Sequence, residues 1–105
     1  MKMIRAVLRP KKTEEVVEAL AAGGFVALTK INVAGRGKQK GVKVGDVYYD
    51  ELPKTMLLMV VNDKDVEKAI GIISKTSYTG NPGDGKIFVT PVEKTYTIRT
   101  GSEEL

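Results

Sequence analysis

Two glycine-rich segments of this sequence contain the residue types best suited to binding a phosphate group. In the segment Gly83-Asp84-Gly85-Lys86, successive backbone N–H groups can form an anion-binding concavity, and Lys86 adds a positive charge. The segment Gly35-Arg36-Gly37 is weaker evidence, because a Gly-x-Gly pattern alone is often only a turn. Together the two segments predict a phosphate site built from loops.

The spacing of Gly80, Gly85 and Lys86 is similar to that of the phosphate loop of nucleoside triphosphatases. That motif requires Ser or Thr after the lysine and a helix after the loop. Here Ile87 follows the lysine, and the next segment has the pattern of a strand. We therefore exclude the phosphate-loop triphosphatases and keep phosphate binding in another geometry.

Positively charged side chains also stand at the ends of predicted elements, namely Arg9, Lys38, Lys54 and Arg99. Each alone is equally well explained as a charge that protects a sheet edge from aggregation. Several of them beside glycine-rich turns favour a polyphosphate ligand. Gln39 lies among lysines and is either a Mg²⁺ ligand through its amide oxygen or an ordinary exposed loop residue.

Composition limits the chemistry. The 105 residues fit one domain, 1–105, with a net charge of +4 that suits nucleotides, organic acids, nucleic acid or an acidic protein face. The sequence has no cysteine and no histidine, which removes disulfides, thiolate metal sites and the usual general base. An enzyme is not favoured. Without a membrane-length apolar run or a signal peptide, a cytoplasmic protein is expected.

The elements that must position these residues alternate in type. Apolar periodicity predicts the order strand, helix, strand, long loop, strand, helix, strand. This order is the split βαβ arrangement of ferredoxin-like domains, an α+β fold with both helices on one face of a four-stranded antiparallel sheet. The strands of this order are predicted over 3–8, 25–33, 55–61 and 87–92, and the helices over 13–22 and 64–76. A further strand is predicted over 95–99, after the last strand of the order.

The strand 55–61 has apolar side chains on both faces, so the sheet face without helices needs cover. A homo-oligomer that closes sheet against sheet is favoured, and a monomer with a partly polar face is the alternative. A short tail, 101–105, is expected to be mobile.

The loop of about 36–53 between the second and third strands is longer than a structural connection needs. We expect it to contact a partner through its distal half. The paired tyrosines are typical of an interface, although they could instead pack the loop onto its own domain. The predicted partner-binding residues are Val42, Lys43, Val44, Asp46, Tyr48, Tyr49, Asp50 and Glu51.

Four motifs in order resemble the PII signal-transduction proteins. They are Gly35-x-Gly37-x-Gln39-Lys40-Gly41, Leu52-Pro53-Lys54, the block from Thr79 to Phe88 that contains Gly83-Asp84-Gly85-Lys86, and Ile98-Arg99-Thr100-Gly101. The resemblance covers roughly residues 1–101. It implies a non-enzymatic homotrimer that binds ATP or ADP between subunits and, with Mg-ATP, 2-oxoglutarate at the base of the long loop.

The resemblance also implies roles for single residues. Mg²⁺ would be ligated by Gln39 beside 2-oxoglutarate. The 2-oxoglutarate site would consist of Arg9, Gln39, Lys40, Gly41 and Lys54. The nucleotide site would consist of Thr29, Gly35, Gly37, Lys38, Gln39, Val60, Gly83, Asp84, Gly85, Lys86 and Arg99.

The sequence departs from the family pattern in places. The family usually has arginine where Lys38 stands, and many members have a second basic residue where Thr97 stands, so weaker phosphate contacts are expected here. The long loop is shorter than in the enterobacterial type. Its tyrosine that is uridylylated there has no clean counterpart, Tyr48 being nearest, so uridylylation is not expected.

The short loop resembles the nitrogenase-regulating branch of the family, which acts on dinitrogenase together with a second PII paralogue. Within the family, control of an ammonium transporter or of glutamine synthetase is the alternative. A ferredoxin-like RNA-binding module is a remote alternative, since the aromatic pair that stacks bases on central strands is missing.

Overall fold

The computed structural model describes residues 1–37, 42–49 and 51–105. These residues form six strands and two α-helices. The elements are β1 (Lys2–Leu8), α1 (Thr13–Ala22), β2 (Thr29–Gly35), β3 (Val42–Val44), β4 (Val47–Tyr49), β5 (Leu52–Val61), α2 (Val66–Ser77) and β6 (Gly85–Pro91). Among the described residues, no helix combines the length and the apolar character needed to cross a membrane.

Four strands form one antiparallel sheet in the order β2-β5-β1-β6. The central strands β1 and β5 pair along their whole common length, from Lys2 opposite Val61 to Leu8 opposite Thr55. The connections β1-α1-β2 and β5-α2-β6 are the two halves of the split βαβ arrangement. The predicted α+β ferredoxin-like fold with a four-stranded antiparallel sheet is therefore confirmed.

The hydrophobic core lies between one face of this sheet and both helices. Alternate residues of the central strands enter it, because successive side chains of a strand point to opposite faces. Each helix contributes a pair of buried residues four positions apart, as expected for one helix face. The buried apolar residues are Ile4, Ala6 and Leu8 in β1, Leu57, Met59 and Val61 in β5, Val16 and Leu20 in α1, and Ala69 and Ile73 in α2.

Among the described residues, no helix lies over the opposite face of the sheet. Strand register places Ile31, Met56, Val7 and Lys86 in one row across this face. The next row consists of Thr29, Leu58, Arg5 and Phe88. The central-strand residues of both rows are only partly buried, which matches the expectation that this face needs cover.

The prediction of a strand over 25–33 is wrong in its boundaries, since β2 spans Thr29–Gly35. The chain turns at Gly24, whose φ is +96°, and the Phe25 N–H donates to the Leu20 carbonyl at 2.8 Å. Phe25 and Leu28 then pack against the core before the sheet begins. The apolar alternation at 25–28 therefore reflects packing of a connection and not strand pairing.

The predicted strand over 95–99 is also wrong. The chain turns there, with the Thr97 N–H donating to the Ser102 carbonyl at 2.8 Å and the Gly101 N–H donating to the Thr97 carbonyl at 2.7 Å. A strand needs a partner to satisfy its backbone groups, and the described part of the chain offers none at this place. The tail continues this turn, because the Thr95 hydroxyl donates to the Glu103 carbonyl at 3.4 Å.

The long connection between β2 and β5 is partly regular. β5 begins at Leu52, so the end of the predicted loop is already strand. Within the connection, β3 and β4 form a hairpin in which Val44 pairs with Val47 around a two-residue turn. Gly45 has a φ of +60° in that turn, the left-handed conformation that tight hairpins require. This connection, called the arm here, is therefore a regular hairpin over its described residues 42–49.

Candidate functional site

The candidate site lies at one edge of the sheet, where four strand ends meet. β1 and β2 both run antiparallel to β5, and β6 runs antiparallel to β1. The ends of β1 and β2 therefore meet the starts of β5 and β6. The register brings Leu8 opposite Gly85 on one side and Val33 opposite Lys54 on the other. This topology brings both glycine-rich segments to the same edge.

A cleft of about 360 Å³ opens between the two glycine-rich segments. Three of its lining side chains, Arg36, Lys54 and Lys86, are positively charged. Cations grouped in a cleft with backbone N–H donors attract a polyanion. The lining consists of Val7, Gly35, Arg36, Gly37, Lys54, Gly83, Gly85, Lys86 and Phe88.

Glycine is required at one point of this lining by the closeness of β1. Gly85 has a φ of +114°, and a Cβ atom there would lie 1.8 Å from the carbonyl oxygen of Val7. Only a residue without a side chain fits both the conformation and the space. Gly85 thus lets the start of β6 approach the neighbouring strand and leaves its backbone open to the cleft.

The loop before β6 is organised around the carboxylate of Asp84. Oδ2 accepts the N–H groups of Thr79 and Gly80 at 2.8 Å and 2.9 Å. Oδ1 accepts the Thr79 hydroxyl and the Nε–H of Arg9, the latter at 3.2 Å. The hydrogen bonds from Thr79, with those from Gly80 and Arg9, hold the pKa of Asp84 well below its usual range. The carboxylate is therefore ionised, and its hydrogen bonds connect the start of the loop, at Thr79 and Gly80, to Arg9.

Two cations reach the same loop from neighbouring elements. Arg9 donates through Nη2 to the carbonyl of Pro82 at 2.7 Å, and Lys54 donates through Nζ to the carbonyl of Gly83 at 2.7 Å. Partial burial, and then the charge of Arg9, lower the pKa of Lys54, while Asp84 opposes that shift. Two partly buried cations at the base of the arm form an arrangement that can bind a small dicarboxylate.

Three predicted nucleotide-site residues lie elsewhere in the chain. Thr29 pairs with Leu58, and Val60 pairs with Met3, toward the other end of the sheet. Val60 is the sixth residue after Lys54 along β5, a separation of about 20 Å along a strand. β6 ends at Pro91, which pairs with Lys2 at that same far end of the sheet. Arg99 belongs to the turn that follows β6. One chain therefore holds the predicted nucleotide residues in two separate groups.

The other predicted site residues divide between two cases. Lys38, Gln39, Lys40, Gly41 and Asp50 lie outside the described residues, so their phosphate, Mg²⁺, 2-oxoglutarate and partner roles stay predictions. In the arm, Lys43, Val44, Asp46 and Glu51 are exposed. Val42, Tyr48 and Tyr49 belong to the paired strands of its hairpin.

Sequence reasoning missed several residues of the site. Val7 and Phe88 line the cleft because they share a sheet face with Lys86, and their strand periodicity could have indicated that only once the register was known. Thr79 and Pro82 hold Asp84 and Arg9 through hydrogen bonds that no sequence pattern specified. Arg36 also lines the cleft, whereas the sequence pattern singled it out only as the middle residue of the Gly35-Arg36-Gly37 turn.

Comparison with known proteins agrees with the motifs. The family model described as nitrogen regulatory protein P-II matches residues 1–102. The nitrogen fixation nifHD region glnB-like protein 1 of Methanococcus maripaludis is 66% identical over 102 residues, which are 97% of each chain. Similarly named relatives from Methanosarcina barkeri (nifHD2 region) and Methanothermobacter marburgensis are 62% and 60% identical over all 105 residues, covering 100% of both chains. These matches confirm the family resemblance.

Proposed function

Because this chain belongs to the nitrogen regulatory protein P-II family, we propose that it senses ATP or ADP together with 2-oxoglutarate and controls dinitrogenase by direct binding through its long arm. The chain itself would carry out no catalysis. The observation that carries the proposal is the cationic cleft between Gly35–Gly37 and Gly83–Lys86, with Arg9 and Lys54 at the base of the arm.

The nucleotide would lie with its phosphates in this cleft. Arg36, Lys54 and Lys86 supply positive charge, and glycine backbone at Gly83 and Gly85 supplies N–H donors without side chains in the way. Lys38 and Gln39 would complete the phosphate contacts from the start of the arm, with Mg²⁺ bound to the phosphates and to Gln39.

The nucleoside would be held by a second copy of the chain. Thr29 and Val60 pair toward the far end of the sheet, and Arg99 follows β6, which also ends there, so this group lies away from the same chain's cleft. A homotrimer closed by its open sheet faces would bring this group of one subunit to the cleft of the next. The apolar side chains on that face, Ile31 and Phe88 among them, support the proposed closure.

The dicarboxylate 2-oxoglutarate would bind at the base of the arm. Its carboxylates need cations, and Arg9 and Lys54 stand there with donors that already reach the neighbouring loop. Lys40 and Gly41 would add backbone contacts. Chelation of Mg²⁺ by 2-oxoglutarate would make its binding depend on Mg-ATP, and the shared ion would couple the two ligands positively.

The target is proposed from the relatives and from the arm. The relatives are named for nitrogen fixation nifHD regions, which favours dinitrogenase over an ammonium transporter or glutamine synthetase. Those names end in the number 1, which is consistent with the second PII-like protein that we expect as a paralogue. Exposed Val44 and Val47 at the tip of the hairpin offer an apolar contact for a partner, which would be met in the cytoplasm.

Titration calorimetry tests the sensing function. The protein should bind ATP and ADP, and it should bind 2-oxoglutarate only when both Mg²⁺ and ATP are present. Omission of Mg²⁺ at saturating ATP is the matched control, because it removes only the shared ion. Binding of 2-oxoglutarate without nucleotide, or no binding of either ligand under any condition, would contradict the proposal.

Affinity capture tests the target. Tagged protein in an extract of nitrogen-fixing cells should retain dinitrogenase, and added 2-oxoglutarate with Mg-ATP should release it. Capture of an ammonium transporter or of glutamine synthetase without dinitrogenase would favour the alternative within the family.

A further inference from the structure

Asp84 has an unexpected charge for its position. It stands between Gly83 and Gly85, both of which line the proposed phosphate cleft. A carboxylate in contact with a polyphosphate would repel it, because like charges at close range are unfavourable. Either Asp84 weakens the site, or its charge serves another purpose.

The structure places Asp84 on the other side of the loop. The cleft lining includes Gly83, Gly85 and Lys86 but not Asp84. Asp84 instead borders a separate depression of about 420 Å³ on the helix side, together with residues of α2 such as Ser74 and Ser77. The carboxylate therefore faces away from the space that the phosphates would occupy.

Both oxygens of this carboxylate are occupied by protein donors. Thr79 and Gly80 approach from the start of the loop, and Arg9 approaches from the end of β1. These contacts join the residues after α2 to the residues before β6 and fix the path of the chain between them. Gly83, with a φ of +98°, is packed against the same guanidinium group, since a Cβ atom there would lie 3.2 Å from Arg9 Nη2.

We propose that Asp84 is a positioning residue of the nucleotide site, which fixes the loop 79–85 and the guanidinium of Arg9 without contacting the ligand. This inference rests on the proposed function. Its chemistry is that of a partly exposed anchor: the hydrogen-bonded carboxylate closes the loop so that the backbone of Gly83 and Gly85 is held ready for phosphate. A loop ordered in advance binds more tightly, because the ligand does not have to order it.

Asp84→Asn separates this role from direct contact. If Asp84 only placed a negative charge beside the phosphates, its neutralisation would tighten ATP binding. If it positions the loop, the amide cannot satisfy the Thr79 and Gly80 donors and Arg9 together, and the competent loop becomes a minority state. We expect ATP affinity to fall by about tenfold, the result of a competent fraction near one tenth.

The matched control is Glu18→Gln, which makes the same charge change on an exposed position of α1. It should leave ATP affinity unchanged. Both variants are compared with the unaltered chain by titration calorimetry, and light scattering checks that each keeps the same oligomeric state. Equal or tighter ATP binding by Asp84→Asn would overturn this inference alone, whereas an unaltered chain that binds no ATP would overturn the proposed function on which it rests.

Thr79 provides a second test with a conservative rescue. Thr79→Ser keeps the hydroxyl that donates to Asp84 and should retain ATP affinity, whereas Thr79→Val removes it and should weaken binding as Asp84→Asn does. Amide hydrogen exchange supplies a local readout: exchange at Gly80 should accelerate in Asp84→Asn while core amides of β1 and β5 keep their rates. Weak ATP binding by both Thr79 variants, or acceleration across the core, would contradict a positioning role.

Discussion

At the scale of single residues, the site depends on a few positions whose identity is dictated by space and charge. The glycine pattern and the terminal cations could be recognised in the sequence, because both residue types have direct chemical meaning. The direction of the Asp84 side chain, away from the cleft, could not be recognised in the sequence, because it follows from four hydrogen-bond donors that the fold brings together. A motif names the residues of a loop but not the side of the loop that each one faces.

Gly85→Ala should destabilise the fold. The new methyl group would meet the Val7 carbonyl at 1.8 Å, and alanine would be strained at a φ of +114°. We expect a loss of about 3 kcal/mol in the free energy of unfolding, measured by chemical denaturation.

Gly71→Ala is the matched control for this substitution. Gly71 lies within α2, and a Cβ atom there would have nothing within 4 Å. Since alanine favours a helix over glycine, a gain of about 0.5–1 kcal/mol is expected. Similar effects of the two substitutions would refute the close approach at Gly85.

Lys54→Arg should change how 2-oxoglutarate binding depends on pH. Burial and the charge of Arg9 lower the pKa of Lys54 from 10.5, so its ammonium group loses its proton at a lower pH than an ordinary lysine. Affinity in the presence of Mg-ATP should therefore decline as the pH rises toward that lowered pKa, at a lower pH than an unperturbed lysine would require. Arginine stays charged over this range, and its variant should show a flatter profile by calorimetry.

Lys30→Arg is the control for the pH experiment, because Lys30 is exposed and paired with Glu14, away from the cleft. It should keep the decline seen in the unaltered chain. An identical decline in Lys54→Arg would assign the pH dependence to another group.

At the scale of elements, the strand and helix order was predictable, whereas strand boundaries at the surface were not. The core strands β1 and β5 are marked by apolar residues, because burial on at least one face selects them. The errors at 25–28 and 95–99 arose where apolar side chains serve packing or a turn rather than a sheet. The β3–β4 hairpin was missed because each of its strands has only three residues, although Gly45-Asp46 between them is a turn signal.

The hairpin should carry the contact with the target. Replacement of Val44 and Val47 together by lysine removes the exposed apolar pair at its tip. Dinitrogenase capture should be lost, whereas ATP and 2-oxoglutarate binding should be kept, because the sites proposed for both ligands lie at the base of the arm and not at its tip. Capture from cell extract and calorimetry measure the two properties on the same preparation.

Ala21→Lys, on an exposed position of α1, is the control for added positive charge. It should retain dinitrogenase capture. Retained capture by the double valine variant would show that the contact lies outside the tip of the hairpin.

At the scale of the whole molecule, the apolar sheet face and the separation of the predicted nucleotide residues both support the proposed homotrimer. Leu58→Arg places a charge in the middle of that face, beside Arg5 in the register. We expect it to convert an assembly of three times 11.4 kDa into single chains, as measured by light scattering. ATP binding should be lost with assembly, although every residue of the cleft is unchanged, because Thr29, Val60 and Arg99 then come from no neighbour.

The exposed variant Lys30→Arg serves again as the control and should remain assembled. Circular dichroism of Leu58→Arg should report intact secondary structure. A single chain that binds ATP with unchanged affinity would show that one subunit suffices. It would contradict the proposal that Thr29, Val60 and Arg99 complete the cleft of a neighbouring subunit.

The length of β5 would connect two neighbouring nucleotide sites of the proposed homotrimer. The strand holds Lys54 near its first residue and Val60 near its last, about 20 Å apart along one rigid element. In a closed ring, each copy of this strand would contact two adjacent nucleotides. Lys54 would lie near the phosphates of one nucleotide, and Val60 would lie near the nucleoside of the other. A strand shared in this way would give occupancy of one nucleotide site a direct route to alter the affinity of the next.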